Sequence, residues 1–191
     1  MFLLILDLEA TCFGGQWETG LQEVIEFPAI LVEKESYNKI STFHQYVRPT
    51  QQPVLSDFCK HLTGISQDTI NACLEFTKVL DQFQDWTRGN GLHHENCTIV
   101  TFGSWDLKYA IPNACAAANR EIPAILDINI TKYVNLKKIC QKKTGILPTS
   151  IPQLMDIVGR KFEGKEHSGI NDVKNILTML RAVNWTMTPT N

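Results

Sequence analysis

Long apolar runs are missing from this chain of 191 residues. No stretch approaches the roughly 18 to 20 apolar residues that a membrane-spanning helix needs. The opening run MFLLIL is too short for the core of a secretion signal, has no basic lead and is followed at once by acids. We therefore expect a soluble, intracellular protein without a membrane partner, although the sequence does not choose between nucleus and cytoplasm.

Paired cysteine motifs are also missing. The six cysteines are widely spread, with no CxxC pair and no zinc-type spacing to histidine. This pattern argues against a disulfide framework and against a structural zinc site. Scattered thiols in an intracellular protein most often act as small buried side chains. The positions are Cys12, Cys59, Cys73, Cys97, Cys115 and Cys140.

A strong charge of one sign is the third absence. The formal net charge of −2 argues against a protein that coats nucleic acid by charge alone. Locally, the segment 132–165 carries eight basic residues against two acids, Asp156 and Glu163. Such a surplus can bind phosphates, but it is equally typical of solvated helix faces. The basic residues are Lys132, Lys137, Lys138, Lys142, Lys143, Arg160, Lys161 and Lys165.

Hydrophobic periodicity predicts a mixed α/β fold in one domain, residues 1–191. Within the strand 23–32, Pro28 lacks a ladder donor and predicts a local irregularity. The predicted strands are 2–7, 23–32, 39–47, 97–102 and a further one near 123–128. The predicted helices are 55–62, 66–72, 75–88, 105–119, 131–143, 150–158 and 169–184.

Two acids end the first predicted strand, in FLLILDLEATC. Residues two apart on a strand point to the same side, so we expect Asp7 and Glu9 to lie next to each other. Neighbouring carboxylates repel each other unless a positive charge lies between them or one takes up a proton. The spacing therefore predicts that a positive charge or a bound proton lies at this pair.

Two later stretches contain further acids at helix starts. In GSWDL, Asp106 falls in the first turn after a plausible N-cap, Ser104, and the helix dipole alone would explain it. In HSGINDVKN, Asp172 lies at the margin of the apolar stripe of the last helix, and His167 stands just ahead of that helix. We expect both residues to face the junction of helix and sheet, with a simple capping segment as the alternative.

Taken together, four carboxylates and one histidine predict a hydrolytic site. Carboxylate oxygens are the ligands that Mg²⁺ and Mn²⁺ prefer. Two such ions clamp a phosphodiester during in-line displacement, and histidine, which titrates near neutral pH, can remove a proton from the attacking water. The combination predicts a metal-dependent nuclease.

At these positions the sequence resembles the DEDDh 3′→5′ exonucleases of ribonuclease H-like fold. The resemblance is carried by DLEAT (7–11), SWDL (104–107) and HSGINDVKN (167–175). Three further blocks, EVIEFPAIL (23–31), FCKHLTGIS (58–66) and VNLKK (134–138), resemble the subgroup of the histone-mRNA 3′ exonuclease and the enhanced-RNAi exonucleases. The resemblance covers nearly the whole chain, with the six blocks in the same order.

The resemblance implies a five-stranded mixed sheet flanked by helices and a site with two Mg²⁺ or Mn²⁺ ions. It implies that Asp7, Glu9 and Asp172 hold one ion, that Asp7 also contacts the second, that Asp106 completes the set and that His167 is the general base. It implies substrate contacts from Ala10, Thr11 and Leu62. Trp105 and Phe13 are candidates for packing against a base or sugar, with core packing as the alternative.

The substrate implied by the subgroup is RNA, at single-stranded 3′ ends or overhangs. DNA as the main substrate and a scaffold that binds RNA or protein without cutting are the alternatives. We expect no N-terminal domain of the SAP type, which some family members carry. A monomer is compatible with the sequence, which leaves the oligomeric state open. Glu26 is expected to be structural, and the other histidines lie outside the motifs: His44, His61, His93 and His94.

Overall fold

The protein is described by a computed structural model over residues 1–14, 22–183 and 185–190, in which one mixed sheet forms the centre. Four of the five predicted strands are present, together with two that were not predicted: β6, and a strand of two residues, β2, which hydrophobic periodicity could not reveal. The strands are β1 (Phe2–Leu6), β2 (Glu9–Ala10), β3 (Val24–Glu33), β4 (Lys39–Tyr46), β5 (Cys97–Thr101) and β6 (Lys132–Asn135).

The longest strand, β3, organises the sheet. One side of β3 pairs antiparallel with β4. The other side pairs antiparallel with β2 near the start of β3 and with β1 towards its end. On the far side of β1, β5 and then β6 pair in parallel. Side chains of β1 alternate between the two faces, with Leu4 and Leu6 in one core cluster and Leu3 and Ile5 in the other. Both faces are therefore covered.

Helices form a layer on each face of the sheet. Apolar side chains of α3 and α4 pack on the Leu4 face, and those of α5, α6 and α7 pack on the Leu3 face. The short α1 and α2 pack against Ile25 near the start of β3. The helices are α1 (Asp57–Thr63), α2 (Gln67–Asn71), α3 (Phe76–Gly89), α4 (Ile111–Ala117), α5 (Leu136–Thr144), α6 (Ile151–Ile157) and α7 (Gly169–Ala182).

The fifth predicted strand, near 123–128, was wrong. A short 3₁₀ turn, Ala124–Leu126, lies there, and the strand is β6, which occupies the start of the predicted helix 131–143. Tyr133 and Val134 favour a strand, are buried and pair with β5. Asn135 then accepts the N–H of Lys138 and caps α5.

The predicted helix 105–119 is divided. Its first turn, Asp106–Ala110, is π-helical, with the N–H of Ile111 bonded to the carbonyl of Asp106, and α4 begins after it. Pro112 has no N–H to donate and its ring crowds the preceding turn, so a regular α-helix cannot run through it. Pro112 is instead accommodated in the first turn of α4.

Pro28 lies where β3 changes partners. The register with β4 is continuous through the pair of Pro28 and His44. On the opposite side, β1 ends with Leu6 beside Ala29 and β2 begins with Glu9 beside Glu26. The expected irregularity is therefore a break in the neighbouring strand and not a bulge in β3 at the proline.

The last helix ends at Ala182, and Asn184, the final residue predicted to be helical, lies outside the described residues. None of the helices in the described ranges has the length and apolarity that crossing a bilayer requires.

Candidate metal centre

The break between β1 and β2 places two acids beside the start of α7. Asp7 lies in the break and Glu9 begins β2. Oxygens of Asp7, Glu9 and Asp172 all lie within 4.8 Å of one another. The expectation that the acidic pair meets a partner from the last helix agrees with this geometry.

Asp172 reaches the pair because α7 packs directly on the strand end. Gly169, at the first position of α7, is so close that an added Cβ would lie 2.7 Å from the carbonyl oxygen of Asp7 and 2.9 Å from Cγ of Pro28. Only glycine fits this approach without a shift of the backbone. The helix start is thereby held against the break, three residues before Asp172.

Asp106 has a different position from the other three acids. It is 4% exposed, and its Oδ1 accepts the backbone N–H of Leu8 at 2.8 Å. This bond ties the π-helical turn to the residue between Asp7 and Glu9. Asp106 also lies close enough to Asp7 to raise the pKa of that carboxyl group, so the fourth acid borders the cluster.

Burial and mutual repulsion favour the protonated forms of these acids. Burial, followed by Asp106 and Asp172, raises the pKa of Asp7 well above its usual range. Burial raises the pKa of Glu9 to about 9, with Asp172 and Glu26 adding to the shift. Burial and Glu166 raise the pKa of Asp172 to about 7. Burial also raises the pKa of Asp106 to about 6, although the hydrogen bond from the N–H of Leu8 lowers it.

The donor set fits a hard divalent cation. All three clustered side chains offer oxygen. Oδ1 of Asp172 is buried and has no hydrogen-bond partner in the part of the chain that the structure describes. Among the described residues, none of the four acids pairs with a lysine or arginine, although other acids of the chain do. A cation would satisfy the orphaned oxygen and remove the repulsion between the carboxylates.

His167 lies at the junction that the sequence predicted, but in an open setting. Its backbone has a positive φ of 61°, and its N–H bonds to Asp172. The side chain is 49% exposed, with Nε2 4.0 Å from Oε1 of Glu166. The backbone of His167 thus holds Asp172, while its imidazole is exposed to solvent at the edge of the acidic cluster.

The two residues after Glu9, which the resemblance implies as substrate contacts, are buried. Ala10 and Thr11 are 8% and 2% exposed. The hydroxyl of Thr11 accepts the N–H of Glu23 at 3.0 Å, and the carbonyl of Ala10 lies 3.7 Å from Sγ of Cys59. Both residues therefore have little exposed surface to offer a substrate.

The helix α1 borders the strand end and presents apolar side chains. Ser56, its N-cap, donates to the carbonyl of Cys12 at 2.6 Å. Leu62 is partly exposed, and Phe58, one turn earlier, is 45% exposed and lies against Gly14. Phe58 opens the block FCKHLTGIS but was not predicted to contact substrate, although an aromatic residue at an exposed helix position is a usable signal.

The two other candidate aromatics differ in their surroundings. Trp105 is partly buried and packs against the core cluster on the Leu4 face, as its alternative interpretation predicted. Phe13 is also partly exposed and adjoins Gly14. Both residues flank the acids in sequence, one just before Asp106 and one shortly after Glu9.

The basic segment is divided among several elements. One lysine lies on β6, four lie on α5, and Arg160, Lys161 and Lys165 follow α6. Lys137 lies over the ring of Phe102, with Nζ 4.7 Å from its centroid. Lys165 Nζ donates to the carbonyl of His61 in α1 at 2.7 Å and so joins the segment before His167 to α1.

Comparison with known proteins gives one family. A family described as "Exonuclease" (RNase_T) matches residues 4–180. The rat protein "3'-5' exoribonuclease 1" is 35% identical over 180 residues, which cover 92% of this chain and 50% of the rat protein. The chain thus spans about half the length of such curated relatives.

Solved structures agree with the sequence match. The nuclease domain of 3'hExo, described as a DEDDh family member bound to rAMP, superposes with a TM-score of 0.86 at 31% identity, covering 94% of this chain and 90% of that one. A 3'-exonuclease structure that concerns 3'-end specific recognition of a histone mRNA stem-loop gives a TM-score of 0.86 at 30% identity, covering 94% and 80%. These matches confirm the expected ribonuclease H-like architecture.

Proposed function

Because the chain belongs to the exonuclease family, we propose that it is a 3′→5′ exoribonuclease that releases nucleoside 5′-monophosphates. The observation that carries the proposal is the cluster of Asp7, Glu9 and Asp172, with oxygens within 4.8 Å of one another and a buried orphaned oxygen on Asp172. A fold without catalytic use has no chemical reason to hold three repelling acids together. This consideration also disfavours a scaffold that binds without cutting.

Asp7, Glu9 and Asp172 would hold a divalent cation, Mg²⁺ or Mn²⁺, and Asp106 would complete the set for a second. Bound there, the ions would polarise the scissile phosphate and favour ionisation of the attacking water. The protein contributes the fixed spacing of the oxygens, because strand, π-helical turn and α7 are joined at the break through Leu8 and Gly169.

His167 is the proposed general base. Its imidazole would take a proton from the attacking water as the phosphodiester bond to the terminal nucleotide is cleaved. The exposed ring lies at the rim, where a substrate end can reach it, and the N–H of the same residue holds Asp172. One residue thus connects proton transfer with the acidic cluster.

The 3′ end would enter between the strand end and α1. Leu62 and Phe58 offer an apolar surface there, and stacking of a base on an aromatic ring is tolerant of sequence. The backbone of Ala10 and Thr11 closes the inner side. Exposed lysines of the segment 132–165 can bind upstream phosphates. This arrangement suits a single-stranded 3′ end.

RNA is the proposed substrate class because the relatives named above act on or recognise RNA. Recognition of the 2′-hydroxyl is the physical property that separates RNA from DNA. Matched RNA and DNA oligonucleotides of one sequence, labelled at the 5′ end and digested with Mg²⁺ or Mn²⁺, would measure the preference. Equal or faster digestion of DNA would contradict the RNA assignment while leaving the exonuclease proposal intact.

The activity itself is tested by replacing the acids one at a time. We expect Asp7→Ala, Asp106→Ala and Asp172→Ala each to lower the rate by about 10³-fold or more, since metal polarisation contributes several kcal/mol to the barrier. Asp85→Ala, on the exposed surface of α3, is the matched control and should retain the wild-type rate. Full activity in all three site variants would exclude the proposed site.

A further inference from the structure

Glu26 is a fully buried acid within the apolar strand β3, and it has three hydrogen-bond partners. Oε2 accepts the N–H of Gly169 at 2.9 Å, and Oε1 accepts the N–H of Ile170 at 3.1 Å. Nε2 of His44, on the neighbouring β4, lies 2.8 Å from Oε1. A carboxyl group is costly to bury unless such partners compensate for the lost water. Glu26 is therefore tied to the start of α7.

The start of α7 depends on this remote acid. The first N–H groups of a helix have no partner within the helix. Ser168 occupies the N-cap position, but its side chain makes no capping hydrogen bond. Glu26 supplies the acceptor instead, from a different element of the fold.

The position of α7 decides where Asp172 lies. Asp172 is three residues after Gly169, less than one helical turn away, so displacement of the helix start moves its carboxyl group directly. Gly169 also lies close to the strand end, since an added Cβ would be 2.7 Å from the carbonyl oxygen of Asp7 and 2.9 Å from Cγ of Pro28. The hydrogen bonds to Glu26 hold the start of α7 in place, and the close approach of Gly169 to Asp7 and Pro28 limits how far the helix start can move.

We propose that Glu26 and His44 are positioning residues, which hold the start of α7 so that Asp172 keeps its distance to Asp7 and Glu9. Glu26 bonds the helix, and His44 fixes the orientation of the Glu26 carboxyl group. His44 packs edge-on against Tyr46, with ring centroids 5.1 Å apart, and its side chain is 28% exposed. The proposal rests on the proposed function for its kinetic consequences but not for its effect on metal binding.

A purely structural role would lower thermal stability and leave the folded site unchanged. A positioning role changes metal affinity and kcat at temperatures where the variants are fully folded. Residues that hold a metal ligand in place typically contribute about 10- to 100-fold in metal affinity or activity. The discriminating measurements are the Mn²⁺ dissociation constant by calorimetry, and kcat and KM on one RNA oligonucleotide.

The variants are His44→Leu, His44→Gln, Glu26→Gln and Ser168→Ala. We expect His44→Leu to weaken Mn²⁺ binding and lower kcat by about tenfold, with the KM for RNA unchanged. His44→Gln should recover most of this loss, because its amide N–H can donate to the same oxygen. Glu26→Gln should show a larger loss, up to about 100-fold. Ser168→Ala, which removes the unused local cap, is the control and should resemble the wild type.

Wild-type Mn²⁺ affinity and kcat in folded His44→Leu and Glu26→Gln, with only a lower melting temperature, would overturn the proposal. Equal losses in His44→Leu and His44→Gln would also count against it. If Glu26→Gln does not fold, the comparison of His44→Leu with His44→Gln still tests the proposal. A wild type that binds Mn²⁺ but degrades no RNA would contradict the proposed function alone, since the calorimetric comparison still tests the positioning role.

Discussion

The strand end that carries Asp7 and Glu9 and the segment 164–168 that leads into α7 contribute to one site in different ways. The strand end is held by pairing with β3 and by Leu8, which is buried and bonds to Asp106. The segment 164–168 has positive φ angles at Gly164 and His167 and is largely exposed. The acids are thus fixed by the core, whereas the proposed base lies on a largely exposed segment.

This difference suggests a division of tasks. Metal binding needs ligand oxygens held at a fixed distance, and a buried strand end provides that. Proton transfer needs a group that can adjust to the substrate and exchange its proton with water, and an exposed histidine provides that. Changes to the two regions should therefore separate metal affinity from the rate of the chemical step.

The largest separation is expected from His167→Ala. We expect kcat to fall by about 10²- to 10⁴-fold, because general-base assistance contributes that much, while the Mn²⁺ dissociation constant stays near the wild-type value. Single-turnover digestion of RNA and calorimetry measure the two quantities. His94→Ala, in the exposed turn before β5, is the control. A parallel loss of metal binding would show that the two regions are not separable.

A smaller effect on both quantities is expected from Gly169→Ala. The added Cβ would meet the carbonyl of Asp7 at 2.7 Å and Cγ of Pro28 at 2.9 Å, so the helix start must shift. Overpacking of this kind costs about 1–3 kcal/mol in the free energy of unfolding, and we expect about a tenfold loss of activity.

The matched control for that change is Gly89→Ala at the end of α3, where an added Cβ meets nothing within 4 Å. Alanine is also the better helix former, so this variant should be neutral or slightly stabilising. Equal behaviour of the two glycine variants would contradict the close approach of α7 to the strand end. Thermal unfolding measures the stability of the two glycine variants, and RNA digestion measures their activity.

The last prediction concerns stability without metal and not activity. The folded state keeps protons on the acidic cluster to higher pH than the unfolded chain, whose acids ionise near pH 4. Folding stability from these groups is therefore present below about pH 4 and is lost as pH rises through about 6 for Asp106, 7 for Asp172 and 9 for Glu9.

We accordingly expect the melting temperature of protein in a chelator to fall between pH 5 and pH 8, by about 2–4 °C for each kcal/mol lost. Asp172→Asn should be less sensitive to pH and more stable than the wild type at pH 8 without metal. Addition of Mn²⁺ should raise the melting temperature of the wild type more than that of the variant. A wild type whose metal-free stability rises over this range would contradict the repulsion between the acids.

The elements that could be predicted from the sequence are those whose residues carry their own pattern. The strand 2–7 and the helix 75–88 are close to β1 and α3, because a buried run and an apolar stripe are local signals. The strand β6 was missed because four residues carry little periodicity and its formation depends on pairing with β5. The two residues of β2 are defined only by their pairing with β3.

The same distinction applies to the site. The spacing of Asp7 and Glu9, and the position of Asp172 on its helix, follow from strand and helix periods, so their proximity could be predicted. The bond between Asp106 and Leu8 and the bonds from Glu26 to α7 join residues that are far apart in the chain. No local pattern encodes such a contact, and Glu26 was accordingly expected to be only structural.

The break between β1 and β2 makes this part of the gene tolerant of one kind of change and intolerant of another. Two residues, Asp7 and Leu8, span the break while both strands stay paired with β3. Replacing Leu8 by another apolar residue keeps its N–H and therefore the bond to Asp106. Inserting or deleting one codon would turn Glu9 to the opposite face of the sheet. Natural variation here is expected as substitutions, while the distance in codons from Leu6 to Ala10 stays constant.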